Sequence, residues 1–159
     1  MTNNLKDMLI QGLTKVSQEK QAAQQNARKF ADAYQSLVAE LREFTSGAPV
    51  QIAASNMTWD VYGSSIPMTP LNFFADNAAQ FALQPQIQTG GAAPSATSFK
   101  LMVTATRIAE SFPRVIYFNP TNSTWTSKDP GTLSGLIGQF NIDPEQFKRA
   151  LVYALTGQQ

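Results

Sequence analysis

The chain has 159 residues, 43% of them apolar and only 14% charged, with a net charge of +1. That length suits one domain, or one domain with a helical arm, and it can bury a core without disulfides or metals. So small a net charge gives no broad field for steering nucleic acid or an anionic membrane. The absence of His and Cys removes Ser-His-Asp triads, Cys-His dyads, histidine bases and Cys/His zinc or iron–sulfur sites.

Residues 4–44 read as one helix. Its apolar positions are Leu9, Leu13, Val16, Ala23, Ala27, Phe30, Tyr34, Leu37, Leu41 and Phe44. With Lys20 included, every step is three or four residues, which is a coiled-coil heptad seam. At a rise of about 1.5 Å per residue such a helix is about 60 Å long, longer than a compact domain of this size requires. Gly47 is placed to end it and Pro49 to prevent its continuation.

The seam is uneven. Phe30, Tyr34, Leu37, Leu41 and Phe44 are expected to anchor the helix on its own domain. Residues 17–28 offer only Lys and Ala on the seam and read as a thin, solvated spacer. Leu5, Met8, Leu9, Leu13 and Val16 form a separate apolar cluster that cannot bury itself alone, and these five are the candidate partner-binding residues.

After Pro49 the period becomes two. "PVQIAAS" and "MTWDVYG" read as strands, with Ser55-Asn56 as a hairpin turn between them. "GSSIPMTP" reads as loop and "LNFFADNAAQ" as a short helix. "FALQPQIQ" alternates cleanly, with Pro85 forcing it to an edge or a bulge. "GGAAPSATS" reads as a mobile loop. "SFKLMVTATRIA" is a further strand, and "RVIYF" and "STWTS" flank the turn "NPTN" as a second hairpin.

"DPGTLSGLIGQF" reads as a short helix with Asp129 as cap and Pro130 at its first position. At the end, "NIDPEQFKRALVYALTG" carries a full set of helix signals. Asp143 is the N-cap, Pro144 is N1, Gln146 completes a capping box, Ile142 and Phe147 form a hydrophobic staple, and Gly157 ends the helix.

The order is that of an α+β fold: a long N-terminal helix, a mostly antiparallel sheet of about four to six strands, and a C-terminal capping helix. The expected division is a helical arm over residues 1–46 and an α+β domain over residues 47–159.

No phosphate-binding, dinucleotide-binding or EF-hand motif is present, so no cofactor and no metal is expected. The chemistry left open is a carboxylate site using Asp60 and Glu110, or a Lys100 dyad with a nearby Ser. Trp59, Tyr62, Tyr117, Phe118 and Trp125, interleaved with Lys100, Arg107, Arg114 and Lys128, could instead bind single-stranded nucleic acid, which the net charge disfavours. Gln84, Gln86 and Gln88 line a sheet face that a protein partner could desolvate at little cost.

The leading expectation is a non-catalytic assembly or adaptor protein with protein partners, homo-oligomeric, as in components of bacterial or viral assemblies. The alternatives are a small-ligand protein or carboxylate enzyme, and a nucleic-acid module. With no secretion leader read and no apolar run of the ~20 residues that a membrane span needs, the expected location is the cytoplasm or a macromolecular assembly.

Overall fold

A computed structural model describes residues 2–131 and 140–159. The order of elements is helix α1 (Thr2–Thr45), strands β1 (Val50–Ala54), β2 (Met57–Val61), β3 (Ser64–Met68), β4 (Leu71–Ala75) and β5 (Gln80–Gln88), a 3₁₀ turn (Pro94–Ala96), strands β6 (Ser98–Ala105), β7 (Val115–Asn119), β8 (Thr124–Thr126) and β9 (Asn141–Ile142), and helix α2 (Pro144–Thr156). The fold is α+β, as the pattern predicts. Among the described residues it has nine strands, in an antiparallel seven-stranded sheet ordered β1-β4-β5-β6-β7-β8-β9 and a separate β2–β3 hairpin. The expected short helix at residues 129–140 falls largely on residues 132–139, outside the described residues.

One face of the large sheet is the core face. Phe73, Phe81, Leu83, Ile87, Phe99, Leu101, Val103, Ile116, Phe118 and Trp125 are buried there, with Phe30, Tyr34, Leu37 and Leu41 of α1 and Phe147, Leu151 and Leu155 of α2 over them. Phe30 sits at the centre. Its ring lies 5.5 Å from Phe99, 5.6 Å from Phe118 and 5.8 Å from Trp125, distances at which tilted aromatic pairs add to simple burial.

Strands β3 and β4 correct the loop and short helix expected at residues 63–80. β4 reads Leu71-Asn72-Phe73-Phe74-Ala75, with Leu71 and Phe73 buried. Its near-continuous apolar run fits a helix turn as well as a strand, and only pairing with β1 and β5 decides it. The expected β1–β2 hairpin at Ser55-Asn56 is also corrected. β1 pairs with β4, while β2 pairs with β3. The real turn is Tyr62-Gly63, with φ of 51° and 89°, the two successive positive values of a type I′ turn. Tyr is an unusual residue there, so the turn carries no Asn-Gly signature.

Pro85 lies in β5, an interior strand, rather than at a sheet edge. Ala75 N donates to Ala79 O at 3.0 Å and Thr106 N to Gln80 O at 3.0 Å. Odd-numbered residues of β5 therefore face β4 and even-numbered ones face β6. The missing N–H of Pro85 points to the β4 side, beyond the last β4 partner, Leu71, which pairs with Leu83. No ladder bond is lost, so proline is tolerated.

The segment 90–98, expected to be mobile, is tied down. Pro94 is buried within the 3₁₀ turn, and a Cβ on Gly90 would come within 1.9 Å of Ala93 O. Only glycine fits that approach.

Helix α2 forms as its sequence predicts. Asp143 Oδ1 accepts from Gln146 N at 2.9 Å, and Gln146 Oε1 accepts from Asp143 N at 2.8 Å. Ile142 and Phe147 are both buried, and Gly157 ends the helix at φ 77°. Loss of the reciprocal cap gives a direct expectation. Asp143→Ala lowers stability by ~1 kcal/mol, read as a shift in urea midpoint with an unchanged slope.

Candidate functional site

Helix α1 has 44 residues, about 66 Å at 1.5 Å per residue, and only part of it meets the sheet. The first buried residue is Ala23, and Ala27, Phe30, Ala31, Tyr34, Leu37 and Leu41 follow it into the core, whereas Phe44, expected to anchor with them, is 43% exposed at the end of the helix. The spacer expected over residues 17–28 is thus corrected in its second half. Ala23 and Ala27 are buried where α1 runs beside the 3₁₀ turn, which faces it through Pro94 and Ser95. Small side chains on the seam mark close approach of backbones rather than loose solvation.

The helix is clasped where it leaves the body. Gln24 Nε2 donates to Tyr62 O at 2.8 Å, and Arg28 Nη2 donates to Ser64 Oγ at 2.9 Å. Lys20 Nζ lies 5.6 Å from the centre of the Tyr62 ring, within cation–π range, and the Tyr62 hydroxyl donates to Gly91 O at 3.0 Å. The type I′ turn therefore joins the helix, the β2–β3 hairpin and the loop at Gly91. Its strained Tyr62 backbone is held by contacts on three sides. These residues could not be found by spacing, because their role depends on a turn the sequence does not announce.

Before that clasp the helix stands free. Leu5, Met8, Leu9 and Leu13 are 68%, 65%, 61% and 62% exposed, and Ile10, which the sequence reading did not single out, is 52% exposed. Val16 is half-buried. Leu5, Leu9 and Val16 continue, at helical spacing, the line that becomes Ala23, Ala27 and Phe30 in the core, with Met8 and Leu13 flanking it. One face of one helix is thus core from Ala23 to Leu41 and bare at its start. The absence of a charged residue among these positions is the signal that sequence alone provides; their exposure is visible only in the fold.

The residues of the competing readings are dispersed. Asp60 lies on β2 opposite Ser65, and Glu110 lies in the connection between β6 and β7. Both are exposed, and among the described residues no hydrogen bond or ion pair joins them. No group of three or more His, Cys, Asp or Glu side chains that could hold a metal occurs among the described residues. A cleft of about 390 Å³ lies between α1, the 3₁₀ turn and the β7–β8 turn, and two smaller ones, about 220 and 190 Å³, flank α1. Asp60, Glu110 and Lys100 line none of these three.

The aromatic residues divide between surfaces. Phe118 and Trp125 are core residues against Phe30, while Tyr117 is on the opposite sheet face, beside Lys100 in register. Arg107 Nη2 donates to Ala154 O at 3.3 Å, at the C-terminal end of α2, where a cation is favoured. These groups do not form one stacking platform. Gln84, Gln86 and Met102, by contrast, do lie together. Gln84 pairs with Met102 and Gln86 with Lys100, on the face turned away from the core.

Tyr34 is a titratable group buried in the core. Desolvation raises its hydroxyl pKa well above the usual tyrosine value, partly opposed by nearby Arg42, and the hydroxyl donates to Thr69 O at 2.7 Å. Such a tyrosine stays neutral and locks α1 to the chain between β3 and β4.

Comparison of the chain with protein-family models, with curated proteins and with solved structures finds no match. No helix among the described residues is long and apolar enough to cross a membrane.

Proposed function

We propose that this chain is a non-catalytic assembly protein that binds a second copy of itself through the free start of α1. The observation that carries this reading is the exposure of Leu5, Met8, Leu9, Ile10 and Leu13 on a helix whose seam is buried from Ala23 to Leu41. Burying a large apolar side chain is worth ~1.5–3 kcal/mol. With about three-fifths of each of these side chains still to bury on each of two copies, the gross return is roughly 9–18 kcal/mol. The cost of association is estimated at ~4–15 kcal/mol, the same order as that return. Lys20 and Tyr62 bound the seam at the body of the protein, and a copy lying along it would stop there.

The chain would then act as a subunit of a larger macromolecular assembly. The body offers the rigid part and the helix start supplies the link. The low charge and the neutral Gln-rich sheet face support the same reading, because charged residues are depleted at interface cores.

The test is the mass of the full chain in solution. Leu9→Glu with Leu13→Glu places carboxylates on the exposed seam without touching the core. The expected result is a fall in mass at a given concentration, with the melting temperature lowered by no more than the lost association accounts for. An unchanged mass would exclude the helix start as the link.

A further inference from the structure

Among the described residues, the edge of the large sheet at β1 is open. β1 is the first strand in the sheet order and has β4 on one side only. Ser55 N donates to Pro70 O at 3.2 Å, which continues the β1–β4 register by one step. Ser55 with Pro70, Ala53 with Asn72 and Gln51 with Phe74 are therefore the hydrogen-bonded pairs, since such pairs alternate along an antiparallel ladder.

The backbone groups of Val50, Ile52 and Ala54 consequently point off the sheet. Val50 N is satisfied by Ala48 O at 2.7 Å. The Val50 carbonyl and both groups of Ile52 and Ala54 face no other strand among the described residues. Natural sheets protect such edges with Lys, Pro, bulges or a covering element. β1 reads Val-Gln-Ile-Ala-Ala, with no charge, no proline and no positive φ, and Gln51, Ala53 and Ala54 are exposed.

We infer that β1 is a self-pairing edge, which takes β1 of a second copy antiparallel about a twofold axis at Ile52 and joins two large sheets into one. The register follows from the outward groups. Ile52 pairs with Ile52 of the partner subunit, Val50 with Ala54 of the partner subunit, and Gln51 faces Ala53 of the partner subunit. The strand is complementary to itself in this register. No two charges meet, and Ile52, which shares the core-side face with Phe73, continues the apolar layer across the axis. Such a contact is isologous and closed on itself.

This inference is independent of the link proposed for the helix start. The two surfaces lie at opposite ends of α1, with roughly 48 Å of helix between Leu13 and Thr45 at 1.5 Å per residue. A chain carrying both contacts touches two neighbours, so an assembly can grow past a dimer.

Sedimentation of the full chain separates the two contacts. In the Leu9→Glu/Leu13→Glu background the protein is expected to remain a dimer through β1. Adding Gln51→Lys and Ala53→Lys puts lysine against lysine across the axis and is expected to weaken that dimer at least tenfold. Gln51→Lys with Ala53→Glu puts opposite charges there instead and is expected to restore it, more strongly at low salt. The inference is overturned if the helix-start variant is monomeric at all concentrations, if the two lysines leave the dimer intact, or if the lysine–glutamate pair is no better than the two lysines. Should the lysines perturb folding, amide exchange of the unsubstituted chain reads the same contact. Slowed exchange at Ile52 and Ala54 supports the pairing, and free exchange at both overturns it.

Discussion

Phe30→Ala is expected to lower the unfolding free energy by roughly 3–5 kcal/mol, the range for removing a large aromatic from a close-packed core. Phe30 is fully buried and touches three aromatic rings on three different strands. Its removal leaves a cavity that the rigid sheet below cannot collapse to fill. The effect is read by urea titration, and Phe30→Leu should recover much of the loss. A midpoint unchanged by Phe30→Ala would mean that α1 does not dock on β6, β7 and β8.

Ala27→Glu is the second large effect, at roughly 3–5 kcal/mol, because it leaves an uncompensated charge in the interior. Ala27 has no exposed surface. Glutamate is a good helix former, so the loss would report burial rather than helix propensity. Lys29→Ala, two residues on and exposed, should stay within about 0.5 kcal/mol of the wild type. Equal, small effects at both positions would return the middle of α1 to the role of solvated spacer.

That contrast shows how far the sequence could be read. The strongest periodic signals located α1, α2, β5, β6 and the β7–β8 hairpin, because each rests on local chemistry: heptad steps, a capping box, alternation or a turn. Ala23 and Ala27 misled for a physical reason. Alanine is equally at home on a solvated helix and at a close helix contact, and only the approach of the 3₁₀ turn distinguishes the two. β4 is not legible because Phe74 beside Phe73 interrupts the apolar alternation, although only Leu71 and Phe73 are buried, and β3 is not legible because the type I′ turn before it uses Tyr62 in place of Asn. Pro85 demanded an edge, and what it has is a local one, created by the end of β4. The candidate surface itself was legible as Leu5, Met8, Leu9, Leu13 and Val16. Its clasp at Lys20, Gln24 and Tyr62 was not, since it joins residues about 40 positions apart.

The central claim is that one helix face serves two ends, its own core after Ala23 and a second copy before Val16. Amide hydrogen exchange of the full chain, measured at two protein concentrations on either side of the association midpoint, tests it most directly. A helix start without a partner has few tertiary contacts, and short isolated helices are marginal in water. The account predicts rapid exchange over residues 5–16 in the dilute sample and marked slowing in the concentrated one, while residues 27–41 exchange slowly and equally in both. Exchange over residues 5–16 that is the same at the two concentrations would contradict it.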